Sequence, residues 1–217
     1  MPPTRPHGEA PYATAQRAGR EQLRALILDE ASRLLEAEGP EALTMRRISH
    51  NLGCSTTVLY TMFGAKAGIA DALWTEGFAR LTATLENAGG ADPLDRLGAI
   101  ARAYRANALA NRSYYAIMFQ RPIPGFQPSA QAYQSSLRPL GLLTDAVRAC
   151  INAGVFRAEE PEHIAGVLWA AAHGGVSLEL AGYEGEREAE ARFNDLCSAT
   201  ASWYMSHNGP TTRPPPS

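Results

Sequence analysis

The sequence has few cysteines, a single lysine and no long apolar run, and these scarcities exclude several classes of protein. Its 217 residues hold three cysteines, at 54, 150 and 197, with no CxxC or Cys/His spacing. We therefore expect neither a disulfide framework nor a zinc site. The start, MPPTRPHGEA, lacks the apolar segment of a signal peptide. The most apolar stretch, 164–181, contains Glu179, and a charge is costly inside a bilayer. We expect a buried helix there, and a cytoplasmic protein that does not contact membranes.

Positive and negative charges are nearly balanced, because the net charge of the chain is -2. What the chain has in abundance is alanine, at 38 residues, and arginine, which supplies 19 of the 20 basic residues. Both are strong helix formers. Apolar residues recur with helical spacing from Leu23 to Leu35 and almost throughout the chain, and no segment alternates as a strand would. The sequence predicts an all-α fold of about nine helices.

Glycine and proline divide this helical pattern. The first helix, with Leu23, Leu26 and Ile27 on its inner face, ends near Gly39-Pro40. Two short helices follow at about 45–51 and 56–62, separated by Gly53. Pro139 predicts a kink or a restart in a helix over about 129–152. The Pro-rich segment 121–128 cannot form a regular helix.

One segment carries a local positive charge that is not apparent from the net charge of the chain. Residues 44–66, TMRRISHNLGCSTTVLYTMFGAK, contain Arg46, Arg47 and Lys66 and no acidic residue, whereas the other residues carry a net charge of -5. A short helix, a glycine turn and a second short helix form a helix-turn-helix, whose second helix enters the DNA major groove. The outward face of that second helix carries Thr56, Thr57, Tyr60 and Thr61, whose groups suit base edges and phosphate oxygens.

The segment from Arg24 to Ile69 resembles the tetracycline-repressor-type (TetR) transcriptional regulators. The resemblance is carried by Gly39, Thr44, Ile48-Ser49, Gly53-Cys54-Ser55, Leu59-Tyr60, Phe63 and Lys66 at the spacing of that family. It implies a homodimer that binds double-stranded operator DNA, and a phosphate-binding role for Lys66. With this resemblance we expect DNA contacts from Thr44, Arg46, Arg47, Ser55, Thr56, Thr57, Tyr60, Thr61 and Lys66.

Three positions depart from the family pattern. Cys54 replaces a small aliphatic residue, Val58 stands where Thr or Ser is common, and Met62 stands where His is frequent. The last two remove polar groups from the second short helix, so base or phosphate contacts are not expected from them. Cys54 is interpreted as a small buried hydrophobe and not as a redox sensor.

The C-terminal half resembles a subgroup with a Trp-His-Gly type of regulatory domain, through LWAAAHGGVSLELAG at 168–182. The domain organisation predicted from both resemblances is a flexible arm at 1–20, a DNA-binding domain at 21–68, a ligand-binding and dimerisation domain at 69–208 and a disordered tail at 209–217. The helices at about 161–182 and 186–206 are expected to form a four-helix dimer interface, the alternative being burial within one protomer. Gly174-Gly175 in mid-helix indicates a close approach of another helix, which would offset the poor helix propensity of glycine.

Aromatic and methionine side chains are more numerous in the C-terminal half than helix packing requires. They predict a pocket for a small-molecule effector, although such residues also form ordinary cores. The candidates are Tyr104, Tyr114, Tyr115, Met118, Phe119, Phe126, Trp169 and His173. For His173 a satisfied core or interface position is the alternative. No second histidine or carboxylate lies at metal-ligand spacing from it, so we expect no metal and no cofactor.

The function predicted from these features is a ligand-responsive DNA-binding regulator, with a repressor that a small molecule releases from a palindromic operator as the expected form. The sequence contains no GxSxG, HExxH, GxGxxG or P-loop spacing, so an enzyme is not expected. The alternative is a helical protein that binds small molecules without binding an operator. Selection of bound duplexes from random DNA distinguishes the two.

Overall fold

The structure is a computed structural model that describes residues 11–183 and 185–206. Helix is the dominant element, and the predicted all-α class is confirmed. The helices are α1 (Pro11–Glu38), α2 (Met45–Leu52), α3 (Thr56–Phe63), α4 (Lys66–Glu86), α5 (Pro93–Ala110), α6 (Arg112–Phe119), α7 (Ala130–Ser136), α8 (Arg138–Asn152), α9 (Pro161–Leu180) and α10 (Glu186–Tyr204). A 3-10 turn, Pro40–Ala42, joins α1 to α2. No helix among the described residues is long and apolar enough to cross a membrane.

The ends of two helices differ from those that the sequence predicts. The first begins at Pro11, within the predicted flexible arm, because Ala13, Ala15 and Ala18 continue a strongly helical composition, although the segment buries no side chain. The helix predicted over 129–152 restarts at Pro139, one of the two outcomes expected there. It is two helices, α7 and α8, with Pro139 in the first turn of the second, where a missing N–H is harmless. The rest of the arm, 1–10, and the predicted tail, 209–217, lie outside the described residues.

The chain forms two compact units. The N-terminal unit contains the described residues up to Glu76 together with Ser113–Ala132, and the C-terminal unit contains Gly77–Arg112 and the residues from Tyr133 onward. The sequence predicted one boundary near residue 68 and assigned 113–132 to the C-terminal domain. The difference arises because Ile117 and Ile123 are buried in the same apolar cluster as α1 to α3.

The core of the N-terminal unit is built on one side of α1. Ile27, Ala31 and Leu34 are completely buried there, against Ile48 of α2 and Leu59 of α3. Leu26, which the sequence placed on this inner face, is exposed. Consecutive helical residues differ by about 100° around the axis, so burying Ile27 and Leu28 turns Leu26 away from the core.

In the C-terminal unit, α9 is packed closely against α10. A side-chain carbon at Gly175 would lie 3.2 Å from the ring of Phe193, so alanine here would require that ring to shift by a few tenths of an ångström. The predicted close approach is therefore present at Gly175. At Gly174 the same carbon would meet nothing within 4 Å among the described residues, so no close approach within the protomer requires glycine there.

Candidate nucleic-acid interface

The turn between α2 and α3 has the geometry that a helix-turn-helix requires. The hydroxyl of Thr44 accepts a hydrogen bond from the backbone N–H of Arg47 at 3.2 Å and caps α2. Gly53 ends α2 with a φ of 64°, a left-handed conformation that glycine adopts without steric cost. The N–H of Cys54 then donates to the carbonyl of Ser49 at 3.0 Å. These local bonds set the angle at which α3 leaves α2.

Burial divides the side chains of the two helices into an inner and an outer set. Ile48 and Leu59 are completely buried, and buried Ser49 donates its hydroxyl to the carbonyl of Arg46 at 3.1 Å. The outer set contains all nine residues expected to contact DNA, and each is exposed: Thr44, Arg46, Arg47, Ser55, Thr56, Thr57, Tyr60, Thr61 and Lys66. These nine side chains therefore lie on a surface that double-stranded DNA can reach.

The outward face of α3 presents hydroxyl groups and one aromatic ring. Ser55 occupies the N-cap position without making a capping hydrogen bond with its side chain, so its hydroxyl is available to a partner. Thr61 donates its hydroxyl to the carbonyl of Thr57 at 2.8 Å, which leaves its oxygen as an acceptor. Exposed Tyr60 lies between them along the helix. This face can exchange hydrogen bonds with base edges and phosphates.

The two neighbouring arginines of α2 differ in their surroundings. The guanidinium of Arg47 donates to the carboxylate of Glu38 at 3.0 and 3.2 Å, and both side chains remain exposed to solvent. Arg46 forms no hydrogen bond or ion pair through its side chain with any residue in the described part of the chain. Of these two arginines, only Arg47 would have to leave a partner within the described residues before it could bind an anion.

Lys66 has a structural partner that the sequence did not indicate. Its ammonium donates to the carbonyl of Pro40 at 2.9 Å and ties the start of α4 to the 3-10 turn. An ammonium has three N–H donors, so this bond leaves two for a phosphate. The position of Lys66 beside the end of α3 is thus fixed before any ligand binds.

Sequence reasoning also missed the polar contact that positions α2 on α1. The amide of Asn51 donates to Glu30 at 2.6 Å, and Arg33 donates to the same carboxylate at 2.7 and 2.8 Å. The hydrogen bond from Arg33, together with that from Asn51, lowers the pKa of Glu30 despite partial burial. Only the three-residue spacing of Glu30 and Arg33 was visible in the sequence.

Three of the residues predicted to bind an effector meet in the C-terminal unit. The hydroxyl of Tyr104 on α5 and Nδ1 of His173 on α9 are hydrogen-bonded at 2.9 Å. The rings of His173 and Trp169 are 5.6 Å apart, and Trp169 is partly exposed. Burial lowers the pKa of His173, because the charged imidazolium is less well solvated there than the neutral ring.

The other five predicted effector residues belong to the N-terminal unit. Tyr114 donates its hydroxyl to Asp29 of α1 at 3.1 Å, and the ring of Phe126 lies 6.2 Å from that of Trp74 on α4. Tyr115 and Phe119 have ring centroids 5.0 Å apart, and Met118 is buried. The aromatic richness of 104–126 thus includes packing of the N-terminal unit. Across residues 11–183 and 185–206 no group of three or more His, Cys, Asp or Glu side chains is arranged to hold a metal ion.

The junction between α3 and α4 depends on glycine at position 68. A side-chain carbon there would lie 1.8 Å from the carbonyl oxygen of Phe63, the last residue of α3. We expect Gly68→Ala to lower the free energy of unfolding by about 1–3 kcal/mol, since the backbone must shift. Gly141→Ala on α8 is the matched control, because nothing lies within 4 Å of its added carbon. This control substitution should raise the free energy of unfolding by up to about 1 kcal/mol. Urea unfolding measures both, and equal stability of the two variants would contradict the clash.

Comparison with known proteins agrees with this geometry. Residues 27–73 match the family described as bacterial regulatory proteins, tetR family, and residues 97–207 match the tetracyclin repressor-like C-terminal domain. The chain is 26% identical over 200 residues to the HTH-type transcriptional regulators Rv1816 of Mycobacterium tuberculosis and Mb1846 of Mycobacterium bovis. Each match covers 78% of this chain and 86% of the relative.

Solved structures are similar over most of the chain. A Rhodococcus sp. RHA1 protein of unknown function is 26% identical, with a TM-score of 0.74, over 85% of this chain and 96% of that one. The TetR family regulator PfmR of Thermus thermophilus is 23% identical, with a TM-score of 0.66, over 81% and 97%. The exposed helix-turn-helix and the two family matches lead to one conclusion: the chain belongs to the TetR family of bacterial regulators, and it is a ligand-responsive, DNA-binding transcriptional regulator.

Proposed function

We propose that the protein is a repressor that binds a near-palindromic operator as a homodimer and leaves it when a small, largely apolar compound binds the C-terminal unit. The observation that carries the proposal is the exposed outer face of α2 and α3 on a segment with a charge of +3. As a regulator that acts on operators in bacteria, it works in the cytoplasm. Two recognition helices spaced by about 34–36 Å, one turn of DNA, require an operator with two related half-sites.

Within each half-site the outer residues have different tasks. Thr56 and Thr57, in the first turn of α3, contact base edges, because the N-terminal residues of a recognition helix reach deepest into the major groove. Thr44, Arg46, Ser55, Tyr60, Thr61 and Lys66 contact the phosphate backbone and set the register. Arg47 contributes less, because it must first leave Glu38 at 3.0 Å. Base contacts carry the sequence preference, whereas phosphate contacts do not.

Selection of bound duplexes from a random pool tests this assignment. We expect a near-palindrome to be enriched. Thr57→Ala should change the base preference at one position of each half-site, with a discrimination loss of about 1–3 kcal/mol. Arg46→Ala should weaken binding to operator and to random DNA by the same factor. This loss of affinity should be larger than the loss caused by Arg47→Ala. Equal losses on operator and random DNA for Thr57→Ala would refute its base contact. Failure to enrich any duplex would favour the alternative, a helical binding protein without an operator.

The dimer interface that we propose consists of α9 and α10 from two copies. On the side of α9 that faces away from its own core, Gly166, Ala170 and Gly174 recur every four residues, with open space at both glycines. Small side chains at this spacing let a second helix approach closely. On α10, Leu196 is partly exposed and Trp203 is 68% exposed. Exposed apolar side chains such as these are typical of a protein–protein interface when they lie together.

The effector site that we propose lies around the hydrogen-bonded pair Tyr104 and His173, with Trp169 beside them. Apolar pockets usually contain a few such placed polar groups. Tyr104→Phe keeps the ring but removes the hydroxyl that is hydrogen-bonded to His173. If the effector uses this pair, the substitution should weaken its binding by about 1–3 kcal/mol and leave operator binding unchanged in its absence.

A compound screen by thermal shift identifies the effector, and titration then measures both binding events. By thermodynamic reciprocity the effector should lower the affinity for operator by the same factor by which operator lowers the affinity for effector. Tyr133→Phe is the matched control, because this exposed tyrosine lies on α7, away from α5 and α9 in sequence. An equal loss of effector affinity in both variants would show that the effector does not bind at the Tyr104–His173 pair.

A further inference from the structure

The first three turns of α1 have no side chain in the core. Every residue from 11 to 22 is exposed, and the buried side chains of α1 begin at Ile27. Helical segments of this length gain little stability from propensity alone. Most helices are held by an apolar face packed on the protein, which this segment does not have. All of this segment is instead exposed to solvent.

A contact at Arg24 shows which side of α1 lies near the recognition helix. The guanidinium of Arg24 lies 5.8 Å from the centre of the Phe63 ring, at the last residue of α3. The same group is 3.7 Å from a carboxylate oxygen of Glu76 on α4. The face of α1 that carries Arg24 is thus turned toward the C-terminal end of α3, beside the segment that includes Lys66.

Two more arginines continue this face away from the core. Arg20 and Arg17 precede Arg24 by four and seven residues, spacings that place them on the same side of a helix. At 1.5 Å per residue they lie about 6 Å and 10 Å farther along α1. Arg20 forms no hydrogen bond or ion pair with the part of the chain that the structure describes. Glu21 is the one acidic residue between 11 and 24, against three arginines.

We propose that Arg17 and Arg20, the N-terminal arginine stripe, bind phosphates of the DNA backbone that flank the major-groove site of α3. The inference rests on operator binding as proposed above and widens the DNA footprint of each protomer. Guanidinium groups bind phosphate strongly and, on the backbone, without regard to sequence. The stripe therefore adds affinity and salt dependence but no base preference.

Two operator duplexes test the stripe. One ends at the edge of the selected half-sites, and the other extends by about ten base pairs on each side, one turn of DNA. We expect wild type to bind the extended duplex about tenfold more tightly or better, and Arg17→Gln/Arg20→Gln to lose most of that gain. On the extended duplex, the logarithmic salt slope of the variant should be smaller by about 0.9 for each lost phosphate contact, and up to about four contacts are lost in a dimer.

Two further variants serve as controls. Arg102→Gln/Arg112→Gln removes the same charge from exposed positions of the C-terminal unit and should keep the wild-type dependence on duplex length. Arg17→Lys/Arg20→Lys keeps the charge and should restore most of the gain. Glutamine and lysine have helix propensities close to that of arginine, so α1 should retain its helix in all of them.

The outcomes separate this inference from the function on which it rests. If Arg17→Gln/Arg20→Gln responds to duplex length as wild type does, the stripe does not contact flanking DNA and the proposal is overturned. It is also overturned if the variant loses affinity equally for the short and the extended duplex. If wild type binds neither duplex, operator binding itself fails.

Discussion

Operator affinity should fall about 10³- to 10⁵-fold between 50 and 200 mM salt. The reason is that each protomer presents a segment, 44–66, with a charge of +3 and no acidic residue, and a dimer presents two. The rest of the chain has a net charge of -5, so the attraction is local and is not a property of the whole protein. About six to ten phosphate contacts, each releasing condensed counterions, would produce a fall of this size.

Equilibrium binding to the selected operator at several salt concentrations measures the slope of the logarithm of the binding constant against the logarithm of the salt concentration. Arg46→Ala should reduce its magnitude by about 1.8, which corresponds to two lost contacts in a dimer. Arg102→Gln, at an exposed position of α5, removes a charge from the C-terminal unit and should leave the slope near that of wild type. A flat salt response of the wild-type protein would refute the phosphate contacts as a group.

Glu179→Gln should lower the free energy of unfolding by about 3 kcal/mol, the lower end of the range for breaking a buried ion pair. Arg105 on α5 donates two hydrogen bonds, at 2.7 and 2.8 Å, to Glu179 on α9, and their side chains are only 14% and 7% exposed. The hydrogen bonds to Glu179 raise the pKa of Arg105. The arginine stays charged even without them, because a guanidinium is not deprotonated in proteins near neutral pH. Glu190, 3.7 Å from Arg105, limits the loss because it remains as a second counter-charge.

The chain offers a control with the same chemistry at the surface. Arg148 and Glu162 are paired at 3.0 Å, but their side chains are 45% and 59% exposed. Glu162→Gln should therefore change stability by no more than about 1 kcal/mol. Replacing both buried partners, as Arg105→Met/Glu179→Leu, should recover much of the loss, since no charge is left buried alone. Equal effects of Glu179→Gln and Glu162→Gln in urea unfolding would show that burial does not determine the cost.

Local signals in the sequence determined the fold class and the position of the DNA-binding motif. Alanine and arginine content and helical spacing indicated an all-α chain, and the structure agrees. Thr44 caps α2 and Gly53 ends it as predicted, because capping and left-handed turns depend on residues only a few positions apart. The exposure of Thr56, Thr57, Tyr60 and Thr61 also followed from periodicity, since one side of an amphipathic helix must be buried.

Tertiary structure alone decided which residues of distant segments meet. The pairing of Arg47 with Glu38, the bond from Lys66 to Pro40 and the ion pair of Arg105 with Glu179 join positions 9, 26 and 74 residues apart. The same is true of α6, whose Tyr114 donates to Asp29 and thereby belongs to the N-terminal unit. Periodicity specifies which side of a helix is buried but not which other helix buries it. That choice depends on side-chain packing across the whole fold, so it determines that Arg47 is paired with Glu38 and that the aromatic residues of α6 belong to the N-terminal unit.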